Sequence, residues 1–281
     1  MKKTNLRLTH LIFHILSIIL GLLFILPILW SLMASLRPEL SVMQGLAPIS
    51  IKALIPNPFT LSNYQGVFAN RYFTLALINT FYVVIFSVVF GVIINALAGF
   101  AFAAFRFYGK RILFAIVISS FLIPGDILTI PAYNIVESLG LIDTKAALIL
   151  PALGNGMVIF MFIQFFKQIP DSIREAALID GASSLQVLFR IYVPLTIPTM
   201  IGGSLMLFTM QWEAFLWPLV VSRSVENQMI QVALSTFNQQ YQTAWGQVLG
   251  AATLLCFIPL FILMPLQKYY VSSVTSGAIK G

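Results

Sequence analysis

Six stretches of this chain are apolar and charge-poor for long enough to cross a lipid bilayer, and no soluble fold accommodates such a pattern. A spanning helix needs roughly 20 mainly apolar residues, because about 30 Å of hydrocarbon is crossed at about 1.5 Å per residue. The first stretch runs from about Leu11 to Leu36, between the charges of Arg7 and Arg37. The second, Thr74 to Phe105, fills the charge-free interval from Arg71 to Arg106. The third, Ile112 to about Ile130, is interrupted near its far end by Pro124, Gly125 and Asp126. Ala146 to Phe166, Leu195 to Val221 and Trp245 to Leu266 complete the set. Composition agrees: 59% of residues are hydrophobic and 9% charged, against about 25% charged in soluble chains. The expected fold is an all-α integral membrane protein of six transmembrane helices, with residues 1–281 forming one transmembrane domain.

Charge gives the helices a direction. With the N-terminus inside, the cytoplasmic segments carry eleven basic residues: Lys2, Lys3, Arg7, Arg106, Lys110, Arg111, Lys167, Arg174, Arg190, Lys268 and Lys280. The opposite side keeps five, Arg37, Lys52, Arg71, Lys145 and Arg223. The positive-inside rule therefore places both termini in the cytoplasm. The first apolar stretch exceeds the length of a signal-peptide core, so an uncleaved span is expected. The net charge of +7 is scattered between apolar tracts rather than massed on one face, which argues against nucleic acid as a partner.

Several chemistries are absent. Cys256 is the single cysteine, sits in an apolar run and is expected to pack as a small apolar residue. His10 and His14 stand four apart without an acid or thiol neighbour, a poor metal site, and no metal is expected. No paired-carboxylate or triad pattern appears, so the chain is not expected to be an enzyme. No Gly-x-x-x-x-Gly-Lys-Ser/Thr loop occurs either, so no cofactor is expected on this chain, and any ATP must be bound by a partner.

The inner segment between the fourth and fifth spans, residues 167–194, is far longer than a simple connection requires. Ser172 with Glu175 and Ser183 with Gln186 each fit a capping box, which predicts two short helices. Gly181 fits the break between them, since glycine takes the positive φ that ends a helix without steric cost. Ala176 and Ala177 leave a small-residue patch on the first helix. From the residues alone, such a pair either lies at the membrane surface or presents a docking element.

At these residues the sequence resembles a known family. Glu175-Ala176-Ala177, then Gly181, Ile191 and Val193-Pro194 look like the EAA motif of ABC-importer permeases, with Val193 where leucine is usual. Similarity extends from about Asn79 to Gly281 and points to the carbohydrate subgroup related to the maltose permease. It includes Asn79-Thr80, Ala103 to Phe107, Ile123 to Asp126 and Pro131-Ala132-Tyr133. The resemblance implies a type I ABC importer permease fold with a core region at 74–267, in the bacterial inner membrane. It implies that Glu175, Ala176, Ala177, Asp180, Gly181 and Pro194 couple to a cytoplasmic ATPase, and that the tail with Gly277, Ala278 and Lys280 reaches the same interface. Implied partners are a second, non-identical permease subunit, two ATPase subunits holding ATP and Mg, and an extracytoplasmic solute-binding protein. That last protein would touch the outer loop from Ser222 to Ala244, and the implied solute is a sugar.

Glu213 is too costly to face lipid. It serves either as an interhelical hydrogen-bond partner or, with Gln211 and Trp212, as part of a translocation path. Gln211-Trp212-Glu213-Ala214-Phe215 resembles the subgroup's Trp-Asn-Glu/Asp-Phe pattern, with Glu213 and Ala214 replacing the two residues after the tryptophan. Trp212 and Trp217 either pack or stack on a sugar ring, and Asn79, Asn95 and Gln164 are expected to bridge helices. The alternative function is an ion-coupled secondary transporter using Glu213 or Asp126.

Overall fold

The computed structural model describes residues 2–43, 50–240 and 244–268. All regular elements among them are helical. In chain order they are α1 (Lys2–Ser35), α2 (Ser62–Ala69), α3 (Arg71–Ala104), α4 (Lys110–Leu122), α5 (Thr129–Ser138), α6 (Lys145–Ile149), α7 (Gly156–Phe166), α8 (Asp171–Ile179), α9 (Ser184–Val187), α10 (Val193–Leu195), α11 (Ile197–Trp212), α12 (Leu216–Val221), α13 (Ile230–Gln240) and α14 (Trp245–Leu263). The tail with Gly277, Ala278 and Lys280 lies outside the described residues.

Four stretches are long and apolar enough to cross a membrane as they stand: Ile12–Ser35, Arg71–Ala104, Lys145–Phe166 and Trp245–Leu266. The third expected span is not a straight rod, and the fifth is entered from the preceding loop through a sharp bend. Lys110–Leu122 meets Gly125–Ser138 at 104°, and Ser184–Leu195 meets Ile197–Trp212 at 89°. If each bent pair is one span, the count is six. The first break falls where Pro124 forces Ile123 into extended backbone, φ −84° and ψ 124°. The second follows Pro194 and passes through Thr196, whose hydroxyl donates to the Tyr192 carbonyl at 2.7 Å. The fifth span ends early as well: α11 stops at Trp212, and Glu213 to Phe215 form a break before α12. The Asn238-Gln239-Gln240 run, read from sequence as loop, belongs to α13.

The chain packs as two units. In the first, Met1–Thr74 with Leu234–Ile258, the buried side chains of Asn63 and Arg37 donate to backbone carbonyls. The Asn63 amide donates to the carbonyls of Ser35 at 2.8 Å and Arg37 at 2.6 Å, closing the C-terminal end of α1. Arg37 is 2% exposed and its guanidinium donates to the carbonyls of Lys52, Ile55 and Ser41. At the start of α14, the Gly246 N–H donates to the Glu39 carboxylate at 2.8 Å, an anion where the helix dipole favours one. Gly246 lies so close to Asn63 that an added Cβ would come within 2.5 Å of it. Cys256 is exposed on α14 rather than packed inside, so its thiol faces whatever surrounds this helix.

The second unit, Leu75–Ala233 with Pro259 onward, holds the main core. Ala96 and Phe100 of α3, Val158, Phe162 and Phe166 of α7, and Leu207 of α11 close around Val187, Leu188 and Tyr192. Glycine permits this close approach. A Cβ at Gly99 would meet the Phe162 Cβ at 2.7 Å, and one at Gly203 would meet its ring at 2.8 Å. Asn95, fully buried on α3, bridges as the sequence suggested: it donates to Leu153 O at 3.0 Å and accepts from Asn155 N–H at 2.9 Å. Gln164 does not bridge; it is exposed on α7.

Candidate functional site

Helix α8 starts directly after Pro170, whose fixed φ presets the entry. Ser172 thus falls inside the first turn, and the capping box expected with Glu175 does not form. Asp171 supplies the first-turn anion instead and lies 4.0 Å from Arg174. The second box is present in full: Gln186 N–H donates to Ser183 Oγ at 3.3 Å, and Ser183 N–H donates to Gln186 Oε1 at 2.7 Å.

Between the helices Gly181 adopts φ +85°. Its N–H donates to Leu178 O at 3.1 Å, and Ala182 N–H donates to Ala177 O at 2.9 Å. This double closure is a Schellman motif, and its glycine position is the one the sequence anticipated. Ala177 and Ala182 both pack on the core, which fixes one side of the turn.

The other side is bare. Glu175, Ala176 and Asp180 are exposed, and so is the large apolar side chain of Ile179 at 86%. Past the turn, Leu188–Tyr192 form a π-helical turn that runs into Pro194, which has no N–H to give the ladder. Within that turn Leu188 and Tyr192 are buried, and the Tyr192 ring meets Phe100 edge-on at 4.9 Å and Phe166 at 5.5 Å. Residues 171–194 therefore combine an outward face with an inner face clamped between α3 and α7. A close-packed core transmits displacement rather than absorbing it.

The polar residues of α11 divide by role. The Gln211 amide donates to Ser87 Oγ at 3.1 Å, with Ser87 fully buried on α3. Trp212 is 2% exposed, stacked on Phe208 at 5.8 Å and edge-on to Phe81 at 5.4 Å, so its ring packs. Trp217 also packs, donating to Ala147 O at 3.0 Å. Glu213 is exposed at the end of α11, and its carboxylate takes no hydrogen bond from another helix among the described residues. Asp126 is likewise exposed, in the short turn after the third-span break.

One cluster escaped the sequence reading. Asp143 has φ 61° and accepts from the N–H groups of Arg223 and Ser224, both at 3.0 Å, from Ser224 Oγ at 2.9 Å and from the Asn227 amide at 3.4 Å. Burial pushes this carboxyl up, but the donors of Ser224, Asn227 and Arg223 outweigh it and hold it below the ordinary carboxylate value. Asn79 adds two bonds to the same loop, donating to Glu226 O at 2.6 Å and Gln228 O at 3.2 Å. The loop after α12 is thus pinned at both ends.

A family model described as "Binding-protein-dependent transport system inner membrane component" matches residues 88–275, two thirds of the chain. The chain belongs to this family. The trehalose transport system permease protein SugB of Mycobacterium tuberculosis is 30% identical over 92% of this chain and 93% of its own length. The arabinooligosaccharides transport system permease protein AraQ of Halalkalibacterium halodurans is 30% identical over 91% of each chain. A chain of a bacterial ABC transporter involved in the import of the acidic polysaccharide alginate superposes with a TM-score of 0.81, covering 94% of this chain and 96% of that one at 24% identity. The two share a fold. The chain is therefore a multi-pass membrane permease of an ABC importer and not an enzyme: ATP is hydrolysed by a separate partner. Membership favours this role over an ion-coupled carrier. Among the described residues no group of His, Cys, Asp or Glu could hold a metal ion.

Proposed function

We propose that the chain is the permease subunit of a sugar or oligosaccharide importer and that residues 167–194 are its ATPase-coupling loop. The observation carrying this reading is the two-sidedness of α8 and its flanks. Glu175, Ala176, Asp180 and Ile179 lie open to a partner, while Ala177, Val187, Leu188 and Tyr192 are locked into the core of the spans. Gly181 and Pro194 fix the angles between the two faces. Two ATPase subunits, carrying ATP and Mg, would engage this loop and its equivalent on a second, non-identical permease subunit. ATP-driven closure of the ATPases would shift the spans between two global states, because packed interfaces switch rather than deform smoothly. The core region is taken as 74–267, with both termini in the cytoplasm and the tail with Gly277, Ala278 and Lys280 near the ATPase.

On the opposite face, the loop from Ser222 to Ala244 would meet the solute-binding protein. Glu213 lies at a break in the span with its carboxylate free, which favours a place on the translocation path over a helix-bridging role; Gln211 would hold the adjacent backbone. Sugar as substrate is supported by relatives named for trehalose and arabinooligosaccharide transport.

Uptake by proteoliposomes containing the assembled transporter tests the proposal. Ile179→Ser is expected to leave the thermal midpoint unchanged, since exposed substitutions cost within about 0.5 kcal/mol. It should also lower binding-protein-stimulated ATP hydrolysis and sugar uptake together. Unchanged hydrolysis and uptake would remove α8 from the coupling path. A thermal-shift screen of the partner binding protein against sugars would identify the solute.

A further inference from the structure

The turn between α3 and α4 builds a pocket that shares only Lys167 with the segment assigned to coupling. Its volume is about 720 Å³. Arg106, Lys110, Arg111 and Lys167 line it, and among the described residues no carboxylate does. The sequence separates Lys167 from the other three; the packing of α4 beside α7 brings it to them. Arg106 and Lys167 act on Lys110 by like-charge repulsion. Among the described residues Lys110 Nζ finds only the Phe105 carbonyl at 2.8 Å and the face of Phe107, 6.0 Å from its centroid. Lys167 Nζ lies 5.7 Å from the centroid of Phe114. Arg106 and Arg111 make no hydrogen bond or ion pair among the described residues.

An excess of cations on one side of a membrane satisfies topology wherever the cations sit; convergence on one cavity has a further consequence. Four positive charges around one pocket, with no compensating carboxylate among the described residues, repel each other until an anion enters. The rest of the lining is mostly apolar and aromatic, including Phe102, Ile112, Phe114 and Ile163. Arg106 also marks the end of the charge-free interval of α3, so the pocket opens at the depth where hydrocarbon gives way to headgroups. A ligand matching all three features carries a phosphate, a short polar spacer and acyl chains. Basic pockets between spanning helices bind such headgroups elsewhere.

We infer that this pocket holds the phosphate of an anionic phospholipid of the phosphatidylglycerol type, with Arg106, Lys110, Arg111 and Lys167 as its ligands and the apolar part of the lining against its glycerol and upper acyl chain. The lipid would fasten the α3–α4 turn to Lys167, which follows α7 and opens the segment 167–194. Neither the site nor its test depends on the coupling role of that segment.

Native mass spectrometry of the assembled transporter, stripped of lipid and titrated with defined additives, tests the site. Phosphatidylglycerol should remain bound where phosphatidylcholine is lost, and Arg106→Gln with Arg111→Gln should weaken it about 25-fold, at about fivefold per cation. Lys167→Gln alone should weaken it about fivefold, which keeps the test intact if the double variant does not assemble. A phosphatidylglycerol analogue with a photoactivatable headgroup should label the peptide containing Phe107 to Ile112. Equal retention of both lipids, wild-type retention by the variants, or labelling elsewhere would overturn the inference. Inorganic phosphate competing as strongly as the lipid would assign the site to a free anion. Loss of the ATPase subunit with unchanged lipid retention would assign it to an acidic protein surface, and either result overturns the lipid reading.

Discussion

Gly181 is where local chemistry and function meet most closely. Its φ of +85° costs an L-residue roughly 1–2 kcal/mol, and the Schellman closure depends on it. Nothing crowds the position, so Gly181→Ala tests conformation rather than fit. The expected result is a transporter that folds and binds its ATPase less tightly, read as a drop in co-purified ATPase with little change in yield. Asp143 offers a second test, on the other side of the membrane domain. Its carboxyl is held below the ordinary value of about 4, so the stability it contributes is present above that value and lost as pH falls through the lower folded value. Asp143→Asn should therefore lower the thermal midpoint by about 3 °C at neutral pH, and the two proteins should converge in acid. These residues were not equally legible. Gly181 and the Ser183–Gln186 box announce themselves through neighbours three residues away. Asp143 does not, because its partners lie 80 and more positions downstream. Ser172 misled because Pro170 begins the helix one residue before a serine cap could act.

Among the elements, α7 packs against both α4 and α11. Phe162 is fully buried, meets Phe166 at 5.9 Å, and fills the space left by Gly99 and Gly203. Phe162→Ala should destabilise the protein by about 3–5 kcal/mol, measured as loss of folded material in thermal unfolding. Ser183→Ala should cost about 1 kcal/mol by releasing one end of the capping box. The sequence marked the break at Pro124 but neither its angle nor the bend at Thr196. Apolar content sums over a window, whereas a break depends on single residues such as Pro124 and Thr196. The same averaging hid the end of α11 at Trp212, which leaves Glu213 exposed instead of hydrogen-bonded across helices.

For the whole molecule, the account is that an open face on α8 and a clamped core behind it make one lever between a partner ATPase and the spans. The family assignment explains why a chain without a phosphate loop serves an ATP-driven process. In the function proposed above, α8 faces the ATPase and the loop pinned by Asp143 faces the solute-binding protein. Site-directed cross-linking measures this division directly, and the single native Cys256 makes it practicable. In a Cys256→Ser background, Ala176→Cys should cross-link to the ATPase subunit and resist a membrane-impermeant thiol reagent applied from outside. Arg223→Cys should react with that reagent and never link to the ATPase. A cross-link from Arg223→Cys, or none from Ala176→Cys in the assembled transporter, would contradict the account.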